Sequence, residues 1–242
     1  MTALLVVLSL VLARATQPAS QPVAPPPERA AEYVAERIGG HEVRFNRALL
    51  DADPALADRV RLHLAADLEE IQRLLPAPAL ARLADVVIWV ERGGPGTRYG
   101  RGLGVHWSAD WLRPRGYLVA KAGGVEISCA ADFVDWRTTQ PYMLLHEFAH
   151  AYHQRLGGRF PAEVAAAYER AKDTGAYEAV AHTRNAAPSR AYAMTNVAEY
   201  FAELSEAYFA LNDFYPHTRP QLAAHDPAGM RAVARAWGLD GE

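Results

Sequence analysis

Apolar residues along this chain recur at two spacings, and the spacings sort it into elements. Leu56, Val60, Leu64, Leu68, Ile71 and Leu75 fall on one face of a helix over residues 54–75, which Pro76 and Pro78 stop. A second helix covers the apolar run of residues 144–153, with Thr139 as its N-cap, Pro141 in its first turn and Gly157-Gly158 past its end. Residues 161–172, 196–211 and 226–237 continue the helical period, and Ser108 caps a shorter helix through Trp111 and Leu112. Residues 28–38 are expected to form a short helix ended by Gly39-Gly40. Strand signals are fewer. Residues 41–49 alternate, with Val43 and Phe45 on one face; residues 86–90 are apolar and β-branched; residues 124–128 (GVEIS) are a short strand candidate. Residues 177–182 read as strand or irregular chain, 185–190 as a polar loop, and the glycine-rich stretch 93–104 as a wide turn or rim without phosphate-loop spacing. Many helices with a few short strands predict an α+β fold around a small mixed sheet.

Composition narrows the chemistry. A net charge of −3 gives no basic surface for nucleic acid. One cysteine, Cys129, excludes a disulfide framework and a cysteine-rich metal site, so any metal must be held by histidines and carboxylates. The apolar run of residues 2–13 is too short to span a bilayer, and Ala13-Arg14-Ala15 supplies a small-x-small cleavage pattern. Residues 1–15 are therefore expected to be a signal peptide, 16–40 a Pro-rich linker and short helix, and 41–242 one catalytic domain. The mature protein is expected to be secreted or periplasmic, with no stable membrane span.

His146-Glu147-Phe148-Ala149-His150 lies within the second helix. Residues four apart share a helix face, so His146 and His150 direct two imidazoles at one point, as a zinc ion requires. Glu147 lies on the edge of that face, placed to take a proton from a metal-bound water. The pattern also fits an amphipathic helix whose two histidines are satisfied within the protein, so a third ligand decides. His153, His182, His217, His225, Asp226, Glu199 and Glu203 are candidates. The metzincin arrangement needs a histidine at position 156, where this chain has Leu156. Glu199 and Glu203 stand one turn apart on an otherwise apolar helix, where carboxylates are costly unless paired or metal-bound. Glu199 as the third ligand, with Glu203 hydrogen-bonded to a ligand histidine, would account for both. A capping box, with Asn196 as N-cap and Glu199 three residues on, is the alternative for this segment.

HEFAH together with Tyr192-x-x-Thr195-Asn196-x-x-Glu199-Tyr200-Phe201-Ala202-Glu203 resembles the catalytic domain of the anthrax toxin lethal factor family of zinc endopeptidases. The matched region runs from about His146 to Glu203, with Ala149 where the family has glycine. The wider pattern is similar to secreted bacterial proteins described as metallopeptidases. The resemblance implies a zincin-like domain of gluzincin type in which His146, His150 and Glu199 hold zinc. It makes Glu147 the catalytic base and brings Tyr192 to the catalytic centre. The expected activity is zinc-dependent endopeptidase action on a peptide or protein, with residues 125–128 as the edge strand on which the peptide lies. A hydrolase of a non-standard amide, such as a cell-wall peptide or modified amino acid, and a non-catalytic binding protein that keeps the fold are the alternatives.

Overall fold

Gly39 and Gly40 both hold positive φ, 54° and 84°, the backbone that a two-residue turn needs to join antiparallel strands. In the computed structural model, which describes residues 27–93 and 100–239, this turn links β1 (Tyr33–Ile38) to β2 (His41–Asn46). The expected helix over residues 28–38 is thereby corrected: one 3-10 turn, Ala30–Glu32, precedes a strand. The segment YVAERI has no strong period of its own, and pairing with β2 decides its conformation. The packed unit thus includes chain upstream of residue 41; Glu28 N also donates to Gly116 O at 2.9 Å. The expected signal peptide, residues 1–15, lies outside the described residues.

Beyond β2 come α1 (Arg47–Ala52), α2 (Pro54–Leu74), α3 (Ala77–Leu83), β3 (Ile88–Val90), β4 (Leu103–Val105), α4 (Ala109–Leu112), β5 (Val125–Ile127) and α5 (Ala130–Asp135). The remainder is α6 (Met143–Arg155), α7 (Ala162–Thr174), the hairpin β6 (Val180–His182) and β7 (Asn185–Ser189), then α8 (Val197–Phe209), α9 (Arg219–His225) and α10 (Pro227–Ala236). The expected α+β class with a small mixed sheet is what the structure has. The sheet runs β1-β2-β3-β5-β4, with β2, β3 and β5 parallel and the two outer pairs antiparallel. Two expectations change here. Residues 125–128 do not form an edge, because β5 lies between β3 and β4. Residues 185–189 pair with β6 rather than forming a polar loop.

One sheet face carries Val43, Phe45, Ile88, Val90, Val125 and Ile127, all fully buried. It packs in one core with Leu64, Leu68 and Ile71 of α2 and with Leu144, Leu145 and Phe148 of α6. Burying each such side chain contributes about 2 kcal/mol, so the face clamps α6 against the sheet. The opposite face carries Trp89 and Glu126. Lys121 is fully buried there and donates to Glu28, Glu91 and Glu126 at 2.9, 2.7 and 2.6 Å.

α6 and α8 are neighbours, and Trp237 locks them together. Its ring stacks on Tyr152 of α6 at 4.2 Å, and its Nε1 donates to Ser205 Oγ of α8 at 2.9 Å. α6 ends where expected, with Gly157 and Gly158 in left-handed backbone. Its start differs from expectation. Thr139 Oγ1 donates to Trp136 O at 3.1 Å, closing a preceding 3-10 turn, and Tyr142 takes the N-cap position. No helix among the described residues is long and apolar enough to cross a membrane.

Candidate metal centre

The helix pair brings together residues far apart in sequence. Asn196 caps α8, its side chain accepting from Ala198 N at 2.8 Å and Glu199 N at 3.0 Å. The capping alternative is thus half present: the cap forms, but the Glu199 carboxylate turns to α6. Glu199 Oε2 lies 3.0 Å from His146 Nε2 and 3.1 Å from His150 Nε2, and the two nitrogens are 3.1 Å apart. A tetrahedral ion with nitrogen and oxygen ligands at about 2.0–2.1 Å sets such atoms roughly 3.3 Å apart. The three protein atoms are within a few tenths of an ångström of that spacing.

These three atoms could hold a metal ion. His146 Nδ1 lies 2.7 Å from Glu206 Oε1; with one proton on that contact, the neutral ring would present its Nε2 lone pair to His150 and Glu199. Burial alone would lower the His146 pKa, but Glu199 and Glu206 outweigh it and push it well up. Glu199 shows the complementary effect. Burial would raise its carboxyl, yet the two histidines hold it down to about 2. The donor set, two imidazole nitrogens and one carboxylate oxygen with histidine bonded behind, suits zinc.

Glu203 is not the carboxylate bonded to His146. It stands 3.8 Å from His146 Nδ1 and accepts instead from Asn212 Nδ2 at 3.2 Å. Burial and the neighbouring Glu206 raise its pKa well above the ordinary carboxyl value. Glu206, which the sequence reading passed over, takes the place assigned to Glu203; burial pushes it up to about 7. Its signal was present: seven residues is about two helical turns, so Glu206 shares the line of Glu199 more closely than Glu203 does.

The three converging atoms open onto a cleft of about 480 Å³, walled by β4, Trp107, Trp136, Met143 and Tyr192. Glu147 also lines it. Burial raises the Glu147 carboxyl, against the opposing pull of His150 and His146. Tyr192 is about half exposed, with its ring 6.4 Å from that of His146. Burial, and then the Glu199 carboxylate, raise its phenol above the ordinary value. Among the described residues, β4 is an outer strand with no strand beyond it. Ser128 N donates to Gly102 O at 2.9 Å and His106 N to Gly124 O at 3.1 Å, so the ladder's alternation turns the Leu103 and Val105 amides toward the free side.

The other histidines serve elsewhere. His106 bonds Glu126 at 2.9 Å on the reverse face of the sheet. His153 stacks on Phe160 at 3.4 Å, where burial lowers its pKa to about 4. His182 bonds Asp213 at 3.2 Å, and His217 bonds Asn212 O at 3.0 Å. Neither a protein-family model, nor a curated protein, nor a solved structure matches the chain, so the case for this site rests on its own residues.

Proposed function

We propose that this chain is a zinc-dependent endopeptidase with a zincin-like catalytic domain of gluzincin type, acting on a peptide or protein after export. The observation that carries the reading is the convergence of His146 Nε2, His150 Nε2 and Glu199 Oε2 within 3.0–3.1 Å of one another, beside Glu147 and an open cleft. His146, His150 and Glu199 would hold the ion, and Glu206 would fix the His146 tautomer and ring orientation. Zinc bound there lowers the pKa of a water and polarises a carbonyl oxygen.

The chain's own groups carry the protons. Glu147 takes one from the attacking water and returns it to the leaving amine, work that a carboxyl with a raised pKa performs well near neutrality. Tyr192 donates a hydrogen bond to the developing oxyanion. An extended substrate pairs with the free amides of Leu103 and Val105 on β4.

The test is hydrolysis of a degenerate peptide mixture followed by mass spectrometry. Cleavage is expected from the wild type, is lost on chelation and returns with added zinc. Glu147→Gln should bind zinc and cleave nothing. Cleavage that persists in Glu147→Gln, or in chelator, contradicts the reading.

A further inference from the structure

Beside the catalytic cleft lies a second chamber of about 570 Å³. Trp136, Gln140, Tyr192 and Glu203 line both spaces, so the two adjoin at the Tyr192 ring. The outer wall is the β6–β7 hairpin, whose turn carries Arg184.

The hydrogen bonds around this hairpin leave one guanidinium unspent. Arg184 N donates to His182 Nδ1 at 3.0 Å, so His182 Nε2 is the nitrogen that donates to Asp213 Oδ2, at 3.2 Å. Gln140 Nε2 donates to the same oxygen at 2.8 Å. Asp213 is thus occupied by shorter contacts, and Arg184 Nη2 stays 3.8 Å away. That distance orients the guanidinium electrostatically without using its N–H groups. Arg190, the other guanidinium of the chamber, is committed: Nε donates to Glu178 at 3.0 Å and Nη2 to Met194 O at 2.8 Å. The Arg184 side chain donates no hydrogen bond among the described residues. Trp136 and Phe214 also line the chamber and supply apolar surface.

A guanidinium fork with free donors matches a carboxylate in two parallel bonds, and aromatic walls suit the methylenes that carry one. We propose that this chamber is a specificity subsite for a substrate carboxylate, with Arg184 as the group that binds it. The inference rests on the peptidase reading above and adds the substrate class: peptides with an acidic side chain, or a free C-terminal carboxylate, at a fixed distance from the scissile bond. Arg184 touches no reacting atom, so its effect is on selection.

The experiment uses two matched degenerate peptide pools, one containing Asp and Glu and the other Asn and Gln. Each is made with free and with amidated C-termini. Products cut by the full-length protein, and peptides retained by immobilised Glu147→Gln protein, are sequenced by mass spectrometry. Carboxylate over amide should be enriched about tenfold at one position in both readouts. Enrichment within the chain identifies an acidic side chain as the source; enrichment only for free over amidated ends identifies the C-terminus. Arg184→Gln should bring the ratio near one, and Arg184→Glu should shift the preference to Lys and Arg at the same position. A general folding defect moves neither ratio. Retention with enrichment but without cleavage upholds the subsite and contradicts the peptidase reading. Cleavage without enrichment, enrichment that survives Arg184→Gln, or no retention at all overturns the subsite.

Discussion

At the scale of single residues, groups a few ångströms apart do different work, and variants separate their roles. Tyr192 holds nothing in place: it is half exposed and its ring stands 6.4 Å from that of His146. Tyr192→Phe should keep zinc content and melting temperature while kcat falls about 10²–10³-fold, the usual loss for one oxyanion donor. A change below about threefold in steady-state kinetics would retire its catalytic role. Glu206 and Glu203 divide in the same way. Glu206→Gln replaces the carboxyl acceptor 2.7 Å from His146 Nδ1 and should weaken zinc roughly ten- to a hundredfold in a chelator competition. Glu203→Gln, at 3.8 Å, should change zinc affinity less than about threefold. Equal losses would mean that the two carboxylates act as one unit. His146, His150 and Glu199 were legible because helical spacing alone puts the histidines on one face and makes a carboxylate on an apolar helix conspicuous. The choice of Glu206 over Glu203 was legible only in part: the seven-residue spacing puts Glu206 nearer the line of Glu199, but which carboxylate meets His146 also depends on how far α8 is rotated against α6.

Among the elements, the long helices and the apolar strands β2, β3 and β5 were readable, whereas β1, β4 and β7 were not. Six apolar residues on one stripe define α2 whatever it meets. YVAERI becomes β1 only because the Gly39-Gly40 turn folds it onto β2. β4 is three residues with no apolar alternation of their own, held by β5; neither that strand nor its edge position shows in the sequence. Elements are also tied across the reverse sheet face, where Glu126 of β5 meets His106 and Lys121. Burial would raise the Glu126 carboxyl, but the His106 hydrogen bond and the Lys121 charge hold it at about 2, below its ordinary 4.5. The folded state therefore binds fewer protons there than the unfolded chain. The resulting stabilisation, of order 3 kcal/mol, is complete above pH 4.5 and lost as pH falls toward 2. Glu91 shares the same lysine but is raised by burial and contributes with opposite sign, so the difference between proteins is the quantity to follow. Denaturant titrations should find Glu126→Gln less stable than wild type at neutral pH, with the gap closing between pH 4.5 and 2. A gap that stays constant with pH would mean that the Glu126 charge adds nothing.

Over the whole molecule, the sheet clamps α6 from one side while Trp237 joins α6 to α8 from the other, and the ligand atoms meet because both clamps hold. The class was legible in the sequence from the count and type of elements. The second chamber was not, since it is made by a hairpin read as loop and by residues spread from Trp136 to Phe214. The proposed zinc site makes the most direct prediction: one ion per chain at His146, His150 and Glu199. It is tested most directly by metal stoichiometry on purified protein, measured by inductively coupled plasma mass spectrometry after dialysis against equimolar competing divalent ions. One zinc per chain is expected for wild type and for Glu147→Gln, with most of it lost in His146→Ala, His150→Ala and Glu199→Gln. Full zinc in those three variants, or none in the wild type after zinc is supplied, would contradict the account.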